Sequence, residues 1–209
     1  MRIILRYARE RLHPSRLAPA VALVAGAAPI AGGWHGGTSA VIDIAVAAAL
    51  ISAFRIWDDL ADREPDRLAH PHRVSADAGS ARALIAACLV LSAASVALVA
   101  WRHGAAAVIV VAATAALLGL WYVTRGPRSV VGDHLRLVKY PAFTAAIAGP
   151  WSAASIHGAL SIATVYLAAC VYEWSHDPRC PVRARTRVIE ATLLAGAASA
   201  LVLSLERVQ

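Results

Sequence analysis

The sequence predicts an all-α, multi-pass transmembrane helical bundle of about seven spans, and three observations predict it. Hydrophobic residues make up 59% of the 209-residue chain and charged residues only 16%, with a mean hydropathy of +0.59, far from the mix of a soluble domain. Apolar segments of about 20 residues, the length that crosses a bilayer as a helix, recur along the whole chain. The basic residues and the tryptophans fall between and at the ends of those segments, where a membrane topology puts them.

In order, residues 1–16 intersperse Ile3, Ile4, Leu5, Tyr7 and Leu12 with arginines near helical spacing. That is the pattern of an amphipathic helix lying in the interface, although a basic tail that only sets topology fits the same residues. The spans follow at residues 17–34, 40–57, 83–101, 105–123, 137–155, 159–174 and 188–205. Between the second and third lies the longest polar segment, residues 63–82, interrupted by His70-Pro71-His72. Residues 124–136 open on Gly126-Pro127, a turn signal. Connections this short make one domain over residues 1–209, and Ala-rich, Gly-containing spans favour close helix packing. No cleavable signal is expected, because the first apolar run begins after a long basic stretch.

Orientation comes from the basic residues. Arg2, Arg6, Arg9, Arg11 and Arg16 precede the first span; Arg55, Arg63, Arg67, Arg73 and Arg82 follow the second; Arg125, Arg128, Arg136 and Lys139 follow the fourth; Arg179, Arg183, Arg185 and Arg187 follow the sixth. The alternate ends carry only Arg102 and Arg207. Positive charge stays inside, so the N-terminus is expected in the cytoplasm and the protein in the cell membrane. Trp34, Trp57, Trp101, Trp121, Trp151 and Trp174 sit at or near span ends, as interfacial rings do. The net charge of +7 is therefore a topology signal, and a nucleic-acid partner is not expected. Three cysteines are too few for a disulfide framework. Cys88 and Cys170 are expected to pack within spans, and Cys180 to remain a reduced thiol in a cytoplasmic loop.

The chemistry concentrates at the end of the second span, where Asp58, Asp59, Asp62, Glu64 and Asp66 follow an apolar run. Acids at the mouth of a membrane helix mark a functional site. If the helix continues, Asp59, Asp62 and Asp66 share one face at i, i+3 and i+7, with Asp58 on its border. Like charges so placed repel unless a cation relieves them. Mg²⁺, which keeps waters and bridges to phosphate oxygens, makes a diphosphate the expected ligand. Pro65 removes a donor and crowds the carbonyl of Ala61, which predicts a kink or stop near Glu64 with Asp66 in a loop. A solvated loop in which these acids pair with Arg55, Arg63 and Arg67 is the plainer alternative.

A second set lies at the end of the sixth span. Glu173 and Asp177 at i, i+4, beside His176, could hold a second metal, or could be a helix end stopped by Pro178 and paired with Arg179 and Arg183. His176 and Cys180 offer two zinc-type donors without a second pair. Lys139, the only lysine, suits a phosphate as a point charge while arginine grips it as a fork. With Tyr140, Arg67, Arg73, Arg125 and Arg128 it makes up the expected diphosphate-binding set.

Asp58-Asp59-Leu60-Ala61-Asp62-Arg63-Glu64-Pro65-Asp66 resembles the first signature of the UbiA superfamily of intramembrane prenyltransferases, Asn or Asp followed by Asp-x-x-Asp-x-x-x-Asp at the end of the second helix. Arg67 with His70-Pro71-His72-Arg73-Val74, Arg11-Leu12-His13-Pro14 upstream, and Trp121-Tyr122-Val123-Thr124 with Arg125, Arg128, Lys139 and Tyr140 are similar to its more loosely defined stretches, over roughly residues 9–190. The resemblance implies a Mg²⁺-dependent transferase in which Asp59, Asp62 and Asp66 are catalytic, and Asp58, Asp59, Asp62, Asp66, Glu173 and Asp177 hold metal. Its substrates would be a polyprenyl diphosphate and a small-molecule or lipid acceptor, met at the cytoplasmic side. Two departures stand: the second signature is reduced to Glu173 and Asp177, and the family's nine helices are here about seven. A terpene cyclase of the same superfamily and a non-catalytic lipid-binding or assembly protein are the alternatives. A CDP-alcohol phosphotransferase is disfavoured because Asp62 is followed by Arg63-Glu64. A transporter is disfavoured because the acids gather at one interface.

Overall fold

The computed structural model describes residues 2–32, 36–124, 126, 128–177, 180 and 186–206. Among them the fold is all-helical: α1 (Arg2–Arg11), α2 (Pro14–Gly32), α3 (Gly37–Ala61), α4 (Arg63–Ala69), α5 (Ala81–Thr124), α6 (Val130–Leu137), α7 (Lys139–Ala148), α8 (Ile156–His176) and α9 (Arg187–Glu206). Short 3-10 turns lie at Val74–Ala76, Ala78–Ser80 and Pro150–Ala154. Five helices, α2, α3, α5, α8 and α9, are long and apolar enough to cross a membrane.

The longest of them, α5, is two arms. Gly104 sits at φ 68 and ψ −162, a conformation open to glycine and strained for other residues. On the first arm, the Cys88 thiol donates to the Ala53 carbonyl and Arg102 pairs with Asp43. On the second, Gly119 lies against the Trp57 ring and the Tyr122 hydroxyl donates to Asp58. The chain therefore runs down α3 and back, and the third and fourth predicted spans form a hairpin tipped by Gly104.

The fifth predicted span differs from expectation. Residues 137–155 divide into ten-residue α7, a turn at Gly149 with φ 96, and the Pro150–Ala154 turn. Ten residues of helix reach about 15 Å, half the hydrocarbon thickness. Helix α7 is packed among α2, α3, α5 and α8 with Phe143, Thr144 and Ala146 fully buried, whereas no residue of the Pro150–Ala154 turn is buried and Trp151 is exposed. Gly32 makes the fit possible, since a Cβ there would lie 2.2 Å from the Ala148 carbonyl oxygen.

Helix α1 carries the expected amphipathic pattern, and its apolar face docks on protein. Ile3, Ile4, Tyr7 and Leu12 pack with Ile56, Leu60, Val74 and Leu84, and Tyr7 is 1% exposed. The main core joins Val24, Leu50, Phe54, Val111, Leu118, Phe143 and Val165 from α2, α3, α5, α7 and α8. Helix α9 stands at the periphery, where only Glu190 and Leu201 are buried among its residues.

The break after α3 comes earlier than the proline suggests. The helix ends at Ala61, Asp62 takes φ −88 and ψ 5, and α4 restarts at Arg63. The disrupted turn contains the Ala61 carbonyl that the Pro65 ring crowds, so Asp66 lies on a helix and not in a loop.

Candidate functional site

The acidic end of α3, the ends of α5 and α8, and the starts of α6 and α7 converge at one end of the bundle, beneath α1. Asp58 and Asp59, adjacent in sequence, part there. Asp59 turns to α1: Arg11 donates from Nη2 to Oδ1 at 2.6 Å and from Nε to Oδ2 at 2.8 Å, and the Tyr7 hydroxyl donates to Oδ2 at 2.7 Å. Tyr7 and Arg11 reach one carboxylate because they are i, i+4 on α1. Burial works against charge on Arg11, but the hydrogen bond and charge of Asp59 outweigh it, so the guanidinium holds its proton more tightly than usual. Burial, then the charge and hydrogen bond of Asp59, push the Tyr7 phenol well above its ordinary value.

Asp66 makes a second closed pair, with both oxygens accepting from Arg73 Nη1 at 2.7 and 2.8 Å. Arg67 bonds Glu64 at 3.0 Å and the Ala76 carbonyl at 3.2 Å. Asp62, half-buried, occupies the junction of α3 and α4, where its backbone N–H donates to the Asp58 carbonyl. Asp58 faces the opposite way and takes Lys139 and Tyr122.

Glu173 and Asp177 belong to a further network. Arg128 Nη1 donates to Asp177 at 2.6 Å, and Arg128 and Arg136 each stand 3.7 Å from Glu173. Both arginines also bind Asp133, 2% exposed. Burial opposes charge on Arg128 and Arg136, and these carboxylates more than offset it, raising both guanidinium pKa values. His176 bonds Ser175 and the Tyr172 carbonyl, while Cys180 donates to Asp133. Arg125, Arg179 and Arg183 lie outside the described residues.

A cavity of roughly 760 Å³ opens between α2, α3, α7 and α8, within the range of small-ligand sites. Its mouth carries Arg11, Arg16, Arg55 and Lys139 against Asp58 and Glu173, and its shaft is Leu17, Leu23, Ile51, Phe143 and Ala169, with Tyr140 between. Lys139 stands 5.8 Å over the Tyr140 ring. Of the expected site residues, Asp58, Glu173, Lys139 and Tyr140 line this cavity. Asp59, Asp62, Asp66, Asp177, Arg67, Arg73 and Arg128 do not.

As placed, the acids do not suit Mg²⁺. That ion demands near-octahedral oxygen ligation, yet the side-chain oxygens of Asp59 and Asp66 are held by arginines, and Asp58 by Lys139 and Tyr122. Among the described residues, no three of these carboxylates bring donor atoms within 4.8 Å of one another. Sequence reading missed Tyr7, Arg16, Asp133 and Arg136 as site residues. It knew Arg11 only as a topology and motif signal, although Tyr7 with Arg11 on one helix face was readable; Arg55, the partner offered to the acids in the plainer alternative, stands at i, i+4 from Asp59, 3.8 Å away. Comparison with protein-family models, with curated proteins and with solved structures returned no match for this chain.

Proposed function

We propose that the chain is a seven-pass protein of the cell membrane, N-terminus in the cytoplasm, that binds an isoprenoid diphosphate and transfers its prenyl group to an acceptor. It would do so as a short relative of the UbiA-type enzymes that residues 58–66 resemble. One observation carries this reading: a single cavity joins a cationic mouth to an apolar shaft. An anionic head and a hydrocarbon tail are the two halves of its natural occupant. The passes are the five long helices, with α5 counted as two arms and α7, packed among its neighbours, as the seventh. Gathering of the basic segments at the acidic end supports the orientation.

Lys139, Arg11 and Arg55 surround the position of a departing diphosphate, where fixed positive charge stabilises the leaving group. The Tyr140 and Phe143 rings stand beside it, and aromatic faces attract a cation. The apolar walls exclude water from a reactive carbocation. No step is routed through Mg²⁺, because the carboxylates do not converge to hold it.

A second reading, a non-catalytic lipid-binding protein, is favoured by the closure of Asp59 and Asp66 into pairs with Arg11 and Arg73. Incubation of purified protein with radiolabelled geranylgeranyl diphosphate, in Mg²⁺ and in EDTA, with panels of aromatic and lipid acceptors, separates the two. Release of diphosphate with a prenylated product supports transfer. A cyclised hydrocarbon marks a cyclase, binding without turnover supports the second reading, and no binding in either medium overturns both.

A further inference from the structure

Away from the cavity, three helices bring three unlike donors together. His134 of α6, Cys170 of α8 and Glu190 of α9 each offer a ligand atom, and these atoms lie within 4.8 Å of one another. His134 Nε2 is 3.1 Å from Glu190 Oε1, and His134 Nδ1 is 3.7 Å from Cys170 Sγ. Cys170 and Glu190 are 0% and 4% exposed.

A proton-only network leaves this cluster incomplete. Glu190 Oε1 accepts from Thr186 Oγ1 at 2.5 Å and faces His134, but Oε2 is buried with no hydrogen-bond partner among the described residues. A buried carboxylate oxygen without a partner is costly. A cation bound by carboxylate and thiolate removes the deficit.

We propose that His134, Cys170 and Glu190 form a binding site for a zinc-class divalent transition metal. The mixed nitrogen, sulfur and oxygen set suits zinc, whereas hard Mg²⁺ and Ca²⁺ reject thiolate. Tetrahedral zinc with bonds of about 2.0–2.3 Å sets donors about 3.3–3.6 Å apart; with His134 ligating through Nε2, the nitrogen that Tyr166 leaves open, the three ligand atoms, now within 4.8 Å of one another, draw in to that spacing. The Tyr166 hydroxyl, 2.8 Å from His134 Nδ1, orients the ring as outer partners of ligating histidines do. Three protein donors leave a fourth position for solvent. The ion fastens α9, which buries little else, to α8 and α6, and α6 leads directly into Lys139. This site is independent of the cavity reading.

The test uses the full chain in detergent. After chelation and dialysis it is titrated with Zn²⁺ and, separately, with Co²⁺. The expected result is one ion per chain, a thiolate-to-cobalt charge-transfer band, and a rise in Tm with Zn²⁺. Cys170→Ser removes the band, and Glu190→Gln keeps it while weakening affinity by at least roughly tenfold. The wild-type titration needs no variant to fold: absence of stoichiometric Co²⁺ binding overturns the site, as does a charge-transfer band that survives Cys170→Ser.

Discussion

Asp58 and Asp59 occupy successive positions at the end of α3, and a helix turns them about 100° apart. Asp59 is spent on architecture: Arg11 and Tyr7 close over it and pin α1 to the bundle. Asp58 borders the cavity and pairs with Lys139, which lines it too. An acidic run at a membrane helix end is therefore not one site by virtue of its spacing. What lies opposite each carboxylate decides whether it holds the fold together or meets a ligand.

Both pairs are buried, so a substitution on either side costs stability; ligand affinity is the measurement in which the two sides part. The largest effect is expected from Asp59→Ala, which strands Arg11 and Tyr7 without their acceptor. Loss of one partner of a buried pair costs about 3–5 kcal/mol, read as a fall in unfolding free energy in detergent, while affinity for geranylgeranyl diphosphate is kept or rises, because Arg11 and Arg55 at the mouth lose the carboxylate they share. A stable variant with abolished binding would restore Asp59 to the ligand site.

Lys139→Met acts on the other side. A charge-assisted contact worth about 1.5–3 kcal/mol predicts roughly 10- to 100-fold weaker binding of geranylgeranyl diphosphate in equilibrium titration. Unchanged affinity would remove the ammonium from the mouth.

Tyr7→Phe deletes one hydrogen bond to Asp59 and should cost about 1 kcal/mol. Because the folded state raises the Tyr7 phenol, its contribution is whole below the ordinary tyrosine value of about 10 and is lost as pH climbs from there through the folded value. The wild type should therefore weaken above pH of about 10 more steeply than Tyr7→Phe does.

The smallest effect sharpens the comparison most. Asp58→Asn removes a negative charge from the mouth and releases Lys139; the diphosphate should bind at least about threefold tighter, the gain of roughly 0.7 kcal/mol that a unit charge at about 6 Å gives even in a water-like dielectric. Weaker binding that appears only with Mg²⁺ would make Asp58 a metal ligand instead.

How much of this was readable in the sequence follows from the range of each interaction. The five long helices were legible because hydropathy is a local property, and their bounds lie close to those of the predicted spans. The hairpin at Gly104 was legible as two spans, with Arg102 and His103 at its tip. Helix α7 was not, because an apolar run buried in protein reads like one facing lipid, and only the backbone at Gly149 ends it. Asp43 was overlooked inside the second span; its partner Arg102 lies 59 positions away. The pairings that decide the acidic end, Asp59 with Arg11 and Asp58 with Lys139, are separated by 48 and 81 positions. Residue spacing within one helix carries no information about them. The same holds for His134, Cys170 and Glu190, which no local motif connects.

Competition in nanodiscs asks whether the cavity between α2, α3, α7 and α8 receives an anionic head and a hydrocarbon tail together. Geranylgeranyl diphosphate, geranylgeraniol and inorganic diphosphate are each titrated against a fluorescent prenyl diphosphate. Displacement by the first is expected at concentrations at least about tenfold below either half-molecule, a gap of roughly 1.4 kcal/mol. Equal displacement by geranylgeraniol, or by inorganic diphosphate alone, would contradict it.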